Sequence, residues 1–252
     1  MHRLLVPEEA LAQDLAVLPP DAVRHLKVLR PKPGEEIELF DGRGHTRRYA
    51  WSPAGIHAAG PLSTFQLPTV QLTLFACVTK GSRWDWTIEK AVELGVSRIV
   101  PVISDRCIVR LAPGEREAKA ERWRRIAEDA ARQSDAVWLP EVLAAVDFPR
   151  ALELVKETGH VFVGALTNPP PPPLLAAVSQ SSTAPESNNS NNQTIKQSDN
   201  SLGLFVGPEG DFTPEELASL LAIATPASFG PTILRAETAA IFGLSVLAAS
   251  QH

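Results

Sequence analysis

The chain has 252 residues, 44% hydrophobic and 21% charged, which supplies apolar material for one large domain or two modest ones. A formal charge of −5 excludes a uniformly basic protein that coats nucleic acid, but leaves room for a local basic face. Cys77 and Cys107 sit in apolar runs and form neither a metal-ligand spacing nor a disulfide framework, so no metal and a reducing cytoplasmic setting are expected. The opening MHRLLVPEEALAQ carries early acids and no continuous apolar stretch, unlike a secretory signal. No apolar run approaches the roughly 20 residues needed to span a bilayer, so no membrane association is expected.

In chain order, residues 1–68 read as a small β-rich unit. DAVRHLKVLRPKPGE predicts a short helix stopped by Pro31 and Pro33. Ile37, Leu39 and the Asp41-Gly42 turn predict a hairpin. From Thr69 onward strands and helices alternate. VQLTLFACV reads as a strand, and Ser82-Arg-Trp-Asp85 reads as a capping box opening a helix that ends at Gly95. VSRIVPVIS reads as a buried strand. Glu115 to Gln133 is a helix by the spacing of Trp123, Ile126, Ala127 and Ala130. HVFVGAL and LGLFVG are further strands, and Thr213 to Ile223 a further helix. This alternation predicts an α/β domain over 69–252 built on a parallel sheet. The polar tract from Asn168 to Ser201, rich in Pro, Asn and Ser, predicts a disordered insertion.

Several chemistries are absent from the sequence: there is no G-x-x-x-x-G-K-[ST], no H-E-x-x-H and no G-x-S-x-G. Gly42-Arg-Gly44 lacks the third glycine of a dinucleotide fingerprint and reads as a turn. The loop Gly207-Pro208-Glu209-Gly210 remains. Its glycines permit positive φ and close backbone approach, while Pro208 removes an N–H. Thr213, Pro214 and Glu216 alone explain the helix start, but not two glycines bracketing Pro-Glu at the end of a strand. A carboxylate there disfavours phosphate and suits a cation or a hydrogen-bond donor. The segment ILRAETAAIFGLSVLAAS places Arg235 and Glu237 at the opening of an uncharged helix. A basic patch of Arg24, His25, Lys27 and Arg30, followed by Arg43 and Arg47 with Tyr49 and Trp51 nearby, suits RNA phosphates and stacked bases, although a run this short is more often a plain solvated face.

Five stretches carry a family resemblance: His25–Arg30 with Leu39–Gly42; Lys80-Gly81 with Ile88–Gly95; Gln133-Ser134 with Pro140-Glu141; Gly207–Gly210; and Ile233–Ala239. Together they resemble the RsmE family of ribosomal RNA methyltransferases, which use S-adenosylmethionine to methylate N3 of a uridine in small-subunit (16S) rRNA. The resemblance implies a PUA-like β-barrel RNA-binding domain over 1–68 and a SPOUT domain over 69–252, the latter an α/β fold with a C-terminal trefoil knot. It also implies a cofactor pocket from Leu166, Thr167, Val206, Gly207, Pro208, Glu209, Gly210, Ile233, Leu234, Arg235, Ala236 and Thr238. Arg235 is expected in an electrostatic role and Glu237 in positioning or proton acceptance. Arg24, His25, Lys27, Arg30, Arg43 and Arg47 would contact RNA, either naked rRNA or an assembled small subunit, and the enzyme would be a homodimer. The chain departs from the family pattern at Asp211, where a glycine is usual, and at Arg132 and Ala136. The alternatives are a SPOUT methyltransferase acting on another RNA and a non-catalytic RNA-binding assembly factor.

Overall fold

The computed structural model describes residues 1–181 and 200–251, which form two compact units. One comprises Met1–Pro68 with Ala127–Leu139; the other comprises Thr69–Ile126 with Pro140–His252.

In the first unit, β1 (His2–Leu5) runs parallel to β2 (Glu36–Phe40). The strand β3 (His45–Ser52) is antiparallel to β2, β4 (Gly55–Ala58) and β5 (Ser63–Thr64). The expected hairpin is therefore β2–β3. Its turn is held by Asp41, whose carboxylate accepts from the backbone N–H groups of Arg43 (2.7 Å) and His45 (3.0 Å) and meets His45 Nδ1 at 2.7 Å. Alternating residues Ile37, Leu39 and Tyr49 point into a core closed by Leu4, Val6, Leu11 and Ile56. The buried Tyr49 hydroxyl lies within hydrogen-bond distance of the carbonyls of Ala10, Leu11 and Gln13. After α1 (Glu8–Leu11), the predicted helix appears as α2 (Pro20–Leu29) and ends at Arg30, which takes a left-handed conformation ahead of Pro31. Residues 127–139, read from sequence with the second domain, belong to this unit. Arg3 Nη1 donates to the carbonyls of Ala131 and Ala136, and Leu139 N donates to Gly42 O.

The second unit is a seven-stranded, wholly parallel sheet in the order β12-β10-β11-β6-β7-β8, with β9 also on β7. Its strands are β6 (Gln71–Cys77), β7 (Arg98–Ile103), β8 (Glu141–Val142), β9 (Val146–Asp147), β10 (His160–Gly164), β11 (Ser201–Val206) and β12 (Thr225–Ala227). The central pair β6–β11 is apolar on both faces, as a doubly covered sheet requires. Phe75 and Phe205, in register, stack with centroids 5.6 Å apart, and Phe148 and Phe212 pack against Phe205. The helices α5 (Phe148–Glu157) and α7 (Pro214–Leu221) contribute to that core. The terminal helix α8 (Ala236–Ala249) packs on β6, β11 and α3 (Ser82–Glu93). The long helix α4 (Pro113–Gln133) meets α3 through the Trp84–Trp123 ring contact.

Two expectations change. The box Ser82–Asp85 does not cap α3: Gly81 is the N-cap, no side chain bonds there, and Asp85 pairs with Arg122 at 2.9 Å. The expected insertion 168–201 is narrower on the described residues, because Leu174–Ser181 forms α6 and Ser201 opens β11. Leu174, Ala177 and Val178 are buried, which supplies the apolar face that a disordered tract lacks. Residues 182–199 of the tract lie outside the described residues.

Candidate active site

The chain reverses its direction of travel across the sheet between β6 and β11, and loops at the carboxyl edge of such a sheet form crevices. Three loops meet there: Gly164–Leu166 after β10, Val206–Asp211 after β11, and Ala227–Ala236 after β12. They enclose a cleft of about 520 Å³, within the range of small-molecule sites.

The Gly207–Asp211 loop turns through Asp211 N donating to Pro208 O at 3.0 Å. The expected positive φ at its glycines is not what the turn uses. The left-handed residue is Asp211, with φ +59°, and its carboxylate accepts from Phe212 N at 2.8 Å. Aspartate is among the few non-glycine residues that adopt this conformation readily. Gly207 and Gly210 serve close approach instead: a Cβ at Gly207 would lie 3.0 Å from the Phe212 ring, and one at Gly210 3.2 Å from Arg106 Cβ. Thr213 and Glu216 form a reciprocal capping box that starts α7. Glu216 reaches further, since its buried carboxylate also accepts from Asp105 N at 2.9 Å. Arg106 donates to Gly210 O (3.3 Å) and Phe212 O (3.1 Å), and Arg83 pairs with Glu209 at 3.3 Å. Arg83, Arg106 and the second role of Glu216 escaped the sequence, because their partners lie 104 to 126 residues away.

Of the expected pocket residues, Leu166, Val206, Gly207, Pro208, Glu209, Gly210, Ile233, Leu234, Arg235 and Ala236 line the cleft. Arg235 is exposed and makes no ion pair or side-chain hydrogen bond among the described residues. Thr167 and Thr238 are not in the lining; the Thr167 hydroxyl donates to Pro169 O at 2.8 Å. Glu237 is not in it either. It faces a narrow crevice beside Thr79, Trp84 and Thr87, where its Oε2, Thr79 Oγ1 and Trp84 Nε1 are buried without partners among the described residues. Positions 235 and 237, two residues apart, thus diverge: Arg235 is the extended N-cap and Glu237 lies in the first turn of α8.

In the first unit, Arg24, Lys27 and Arg30 are exposed on α2, with Arg24 3.4 Å from Asp21. Arg43 is exposed at the hairpin turn. His25 is half-buried, and burial followed by the charge of Arg132 pulls its pKa below the ordinary value. Arg47, expected to contact RNA, is instead committed to the fold. Its side chain is 15% exposed and donates to Gly60 O, Leu11 O and Asp14. Among the described residues no group of three or more His, Cys, Asp or Glu could hold a metal ion, and no helix is long and apolar enough to cross a membrane.

Residues 66–248 match an RNA methyltransferase domain, and residues 18–50 an RNA methyltransferase PUA domain. A ribosomal RNA small subunit methyltransferase E of Synechocystis sp. is 30% identical over 97% of this chain and 76% of its own length. The protein of the same name from Mycobacterium tuberculosis is 30% identical over 87% of this chain and 80% of its length. Among solved structures, a ribosomal RNA small subunit methyltransferase E from Neisseria gonorrhoeae bound to S-adenosyl methionine superposes with a TM-score of 0.73 at 28% identity. The match covers 99% of this chain and 98% of that one. A Legionella pneumophila protein in complex with the cofactor SAM superposes with a TM-score of 0.77 at 26% identity, over 99% and 98% of the two chains.

Proposed function

The chain belongs to the ribosomal RNA small subunit methyltransferase E family, and on that premise we propose that it transfers a methyl group from S-adenosylmethionine to N3 of a uridine in small-subunit rRNA. The observation that carries this reading is the convergence of three separate loops at one sheet edge, with an uncommitted arginine on the rim.

The cleft fits the cofactor chemically. Leu166, Pro208, Ile233 and Leu234 offer apolar surface for an adenine ring, and Glu209, whose charge is shared with Arg83, adds carboxylate acceptors to the wall. S-adenosylmethionine, when bound, supplies a methyl group activated by a positive sulfur. The protein's part is to position the acceptor and to favour loss of the N3 proton. Arg235 faces the cleft and stabilises negative charge developing on the uracil ring. Glu237 acts from behind the cleft, as a positioning residue for the first turn of α8. Arg24, His25, Lys27, Arg30 and Arg43 hold the RNA, while Arg47 keeps the first unit in shape.

The reading extends to a SPOUT domain with a C-terminal trefoil knot behind a PUA-like barrel of residues 1–68, to a homodimer, and to work in the cytoplasm on naked rRNA or an assembled subunit. In support of the knot, α8 follows the edge strand β12 yet packs on the central strands β6 and β11. In support of the dimer, α8 leaves the Phe242 ring 40% exposed on an uncharged stretch. Calorimetry with S-adenosylmethionine and a methylation assay on small-subunit RNA test the function. Arg235→Ala is expected to hold cofactor affinity within about threefold and to slow methylation on the order of 10²-fold. Full methylation by this variant removes Arg235 from its role, and absence of cofactor binding by the parent removes the function.

A further inference from the structure

The first unit has a cleft of its own, about 740 Å³, larger than the one at the sheet edge of the second unit. It is lined by His2, Arg3, His25, Phe65, Arg132 and Gln133, with Glu38 and Asp135 among the rest. Arg3 lines it, although its side chain is only 1% exposed. Arg3 Nε pairs with Glu38 at 2.7 Å, Nη1 donates to the Ala131 and Ala136 carbonyls, and the group lies 4.3 Å from the centre of the Phe40 ring. Arg3 Nη2 is buried without an acceptor among the described residues, and so is Arg132 Nε. Buried donors are seldom left unpaired, and a small shift of these two side chains toward the cleft would let an anionic or polar occupant satisfy them.

The walls narrow its chemistry. The Phe65 ring is 46% exposed, while its backbone N–H is pinned to Gly44 O at 2.8 Å, so a large apolar surface is held in place rather than folded away. Gln133 is exposed at the end of α4 and offers both a donor and an acceptor. Arg132 lowers the His25 pKa, second to burial, and pairs with Asp129, whose charge acts on His25 in the opposite direction. Glu38 is paired to Arg3, and the Asp135 side chain is 86% exposed, so Arg132 Nε is the cationic donor left without a partner on that side among the described residues. An aromatic face, an amide and a cationic flank are the groups that recognise an unstacked base and its phosphate.

We propose that this cleft binds one nucleotide of single-stranded RNA, the base against Phe65 and Gln133 and the phosphate beside Arg132 and His25. The proposal rests on the RNA-methyltransferase reading and assigns to the first unit a built pocket distinct from the exposed arginines and lysine of α2. It makes the unit a reader of strand geometry as well as a charged surface.

Fluorescence anisotropy of a labelled single-stranded RNA oligomer with the full chain tests it, with calorimetry of S-adenosylmethionine run in parallel. Phe65→Ala weakens RNA binding about tenfold, and Phe65→Leu, which keeps apolar volume but no ring, weakens it similarly. Arg132→Gln lowers the slope of log affinity against log salt by about one. Cofactor affinity stays at the parent value in all three. RNA binding and salt slope unchanged across the variants overturn the site. Uridine 5′-monophosphate binding as tightly as the oligomer also overturns it, in favour of a free-nucleotide pocket. A parent that binds neither cofactor nor RNA refutes the function itself, a result separable from failure of the cleft. Should Phe65→Ala unfold, Phe65→Leu and Arg132→Gln carry the test.

Discussion

Replacing Glu216 by alanine removes one carboxylate that ties two loops to the start of α7. Glu216 is 7% exposed and accepts from Asp105 N at 2.9 Å and Thr213 N at 3.0 Å. A hydrogen bond to a charged group is worth about 1.5–3 kcal/mol, and both N–H groups are partly buried, so water recovers part of the loss. The expected cost is about 3 kcal/mol for Glu216→Ala and about half that for Glu216→Gln, which keeps one acceptor. Thr213 retains its own bond to the residue 216 N–H in both variants, which separates this effect from simple loss of the cap. Urea unfolding of the full chain measures the stability change through the shift in midpoint. Because Asp105 adjoins Arg106, which holds Gly210 O and Phe212 O, cofactor affinity by calorimetry should fall about tenfold, or about 1.4 kcal/mol. A loss of stability below about 0.5 kcal/mol, the scale of an ordinary surface substitution, with unchanged cofactor affinity would refute the coupling.

Gly207→Ala places a Cβ 3.0 Å from the Phe212 ring, which is wedged among Phe148 and Phe205 and has little room to yield. It should cost about 1–3 kcal/mol in unfolding free energy and weaken the cofactor in calorimetry more than Glu209→Gln does. Asp41 gives a pH signature. Burial raises its carboxyl pKa, but the N–H groups of Arg43 and His45 and the His45 ring outweigh that, so it titrates below its ordinary value. Its contribution is complete above the ordinary carboxylate pKa of about 3.9 and is lost as pH falls through the lower folded value. Asp41→Asn should therefore destabilise the chain at pH 7 and progressively less below pH ~3.9, and a constant difference in unfolding free energy down to pH ~2 would contradict the assignment.

The strands and most helices were legible because their information is local. Alternation placed Ile37, Leu39 and Tyr49 in one core, and the doubly apolar VQLTLFACV and LGLFVG announced buried neighbours in a parallel sheet. The loop Gly207–Gly210 and the segment from Ile233 to Ala236 stood out for the same reason, since glycine, proline and helix-start residues act on their own neighbourhood. Short edge strands such as β12, with three residues, have no periodicity to read. Ser82–Asp85 satisfied a local pattern that a tertiary partner overrode, because Arg122 offers Asp85 a charged fork in place of a backbone N–H. Arg47 looked like a free cation only because Asp14 and the carbonyls of Leu11 and Gly60 are remote in the chain.

By itself the sequence determined that this is an α/β chain with a small β-rich N-terminal part, and it singled out two glycine-containing loops near its end as the candidate site. Those properties follow from side-chain period and backbone permissiveness, which residues possess before they meet anything distant. Only the tertiary structure decided that Arg235 faces the cleft while Glu237 turns into a crevice with Thr79 and Trp84. It also decided that Asp211, not a flanking glycine, takes the left-handed turn, and that Ala127–Leu139 folds with the N-terminal part. Orientation, burial and pairing depend on which surfaces the folded chain brings within a few ångströms, and for Arg83, Arg106 and Glu216 those surfaces are more than a hundred residues apart.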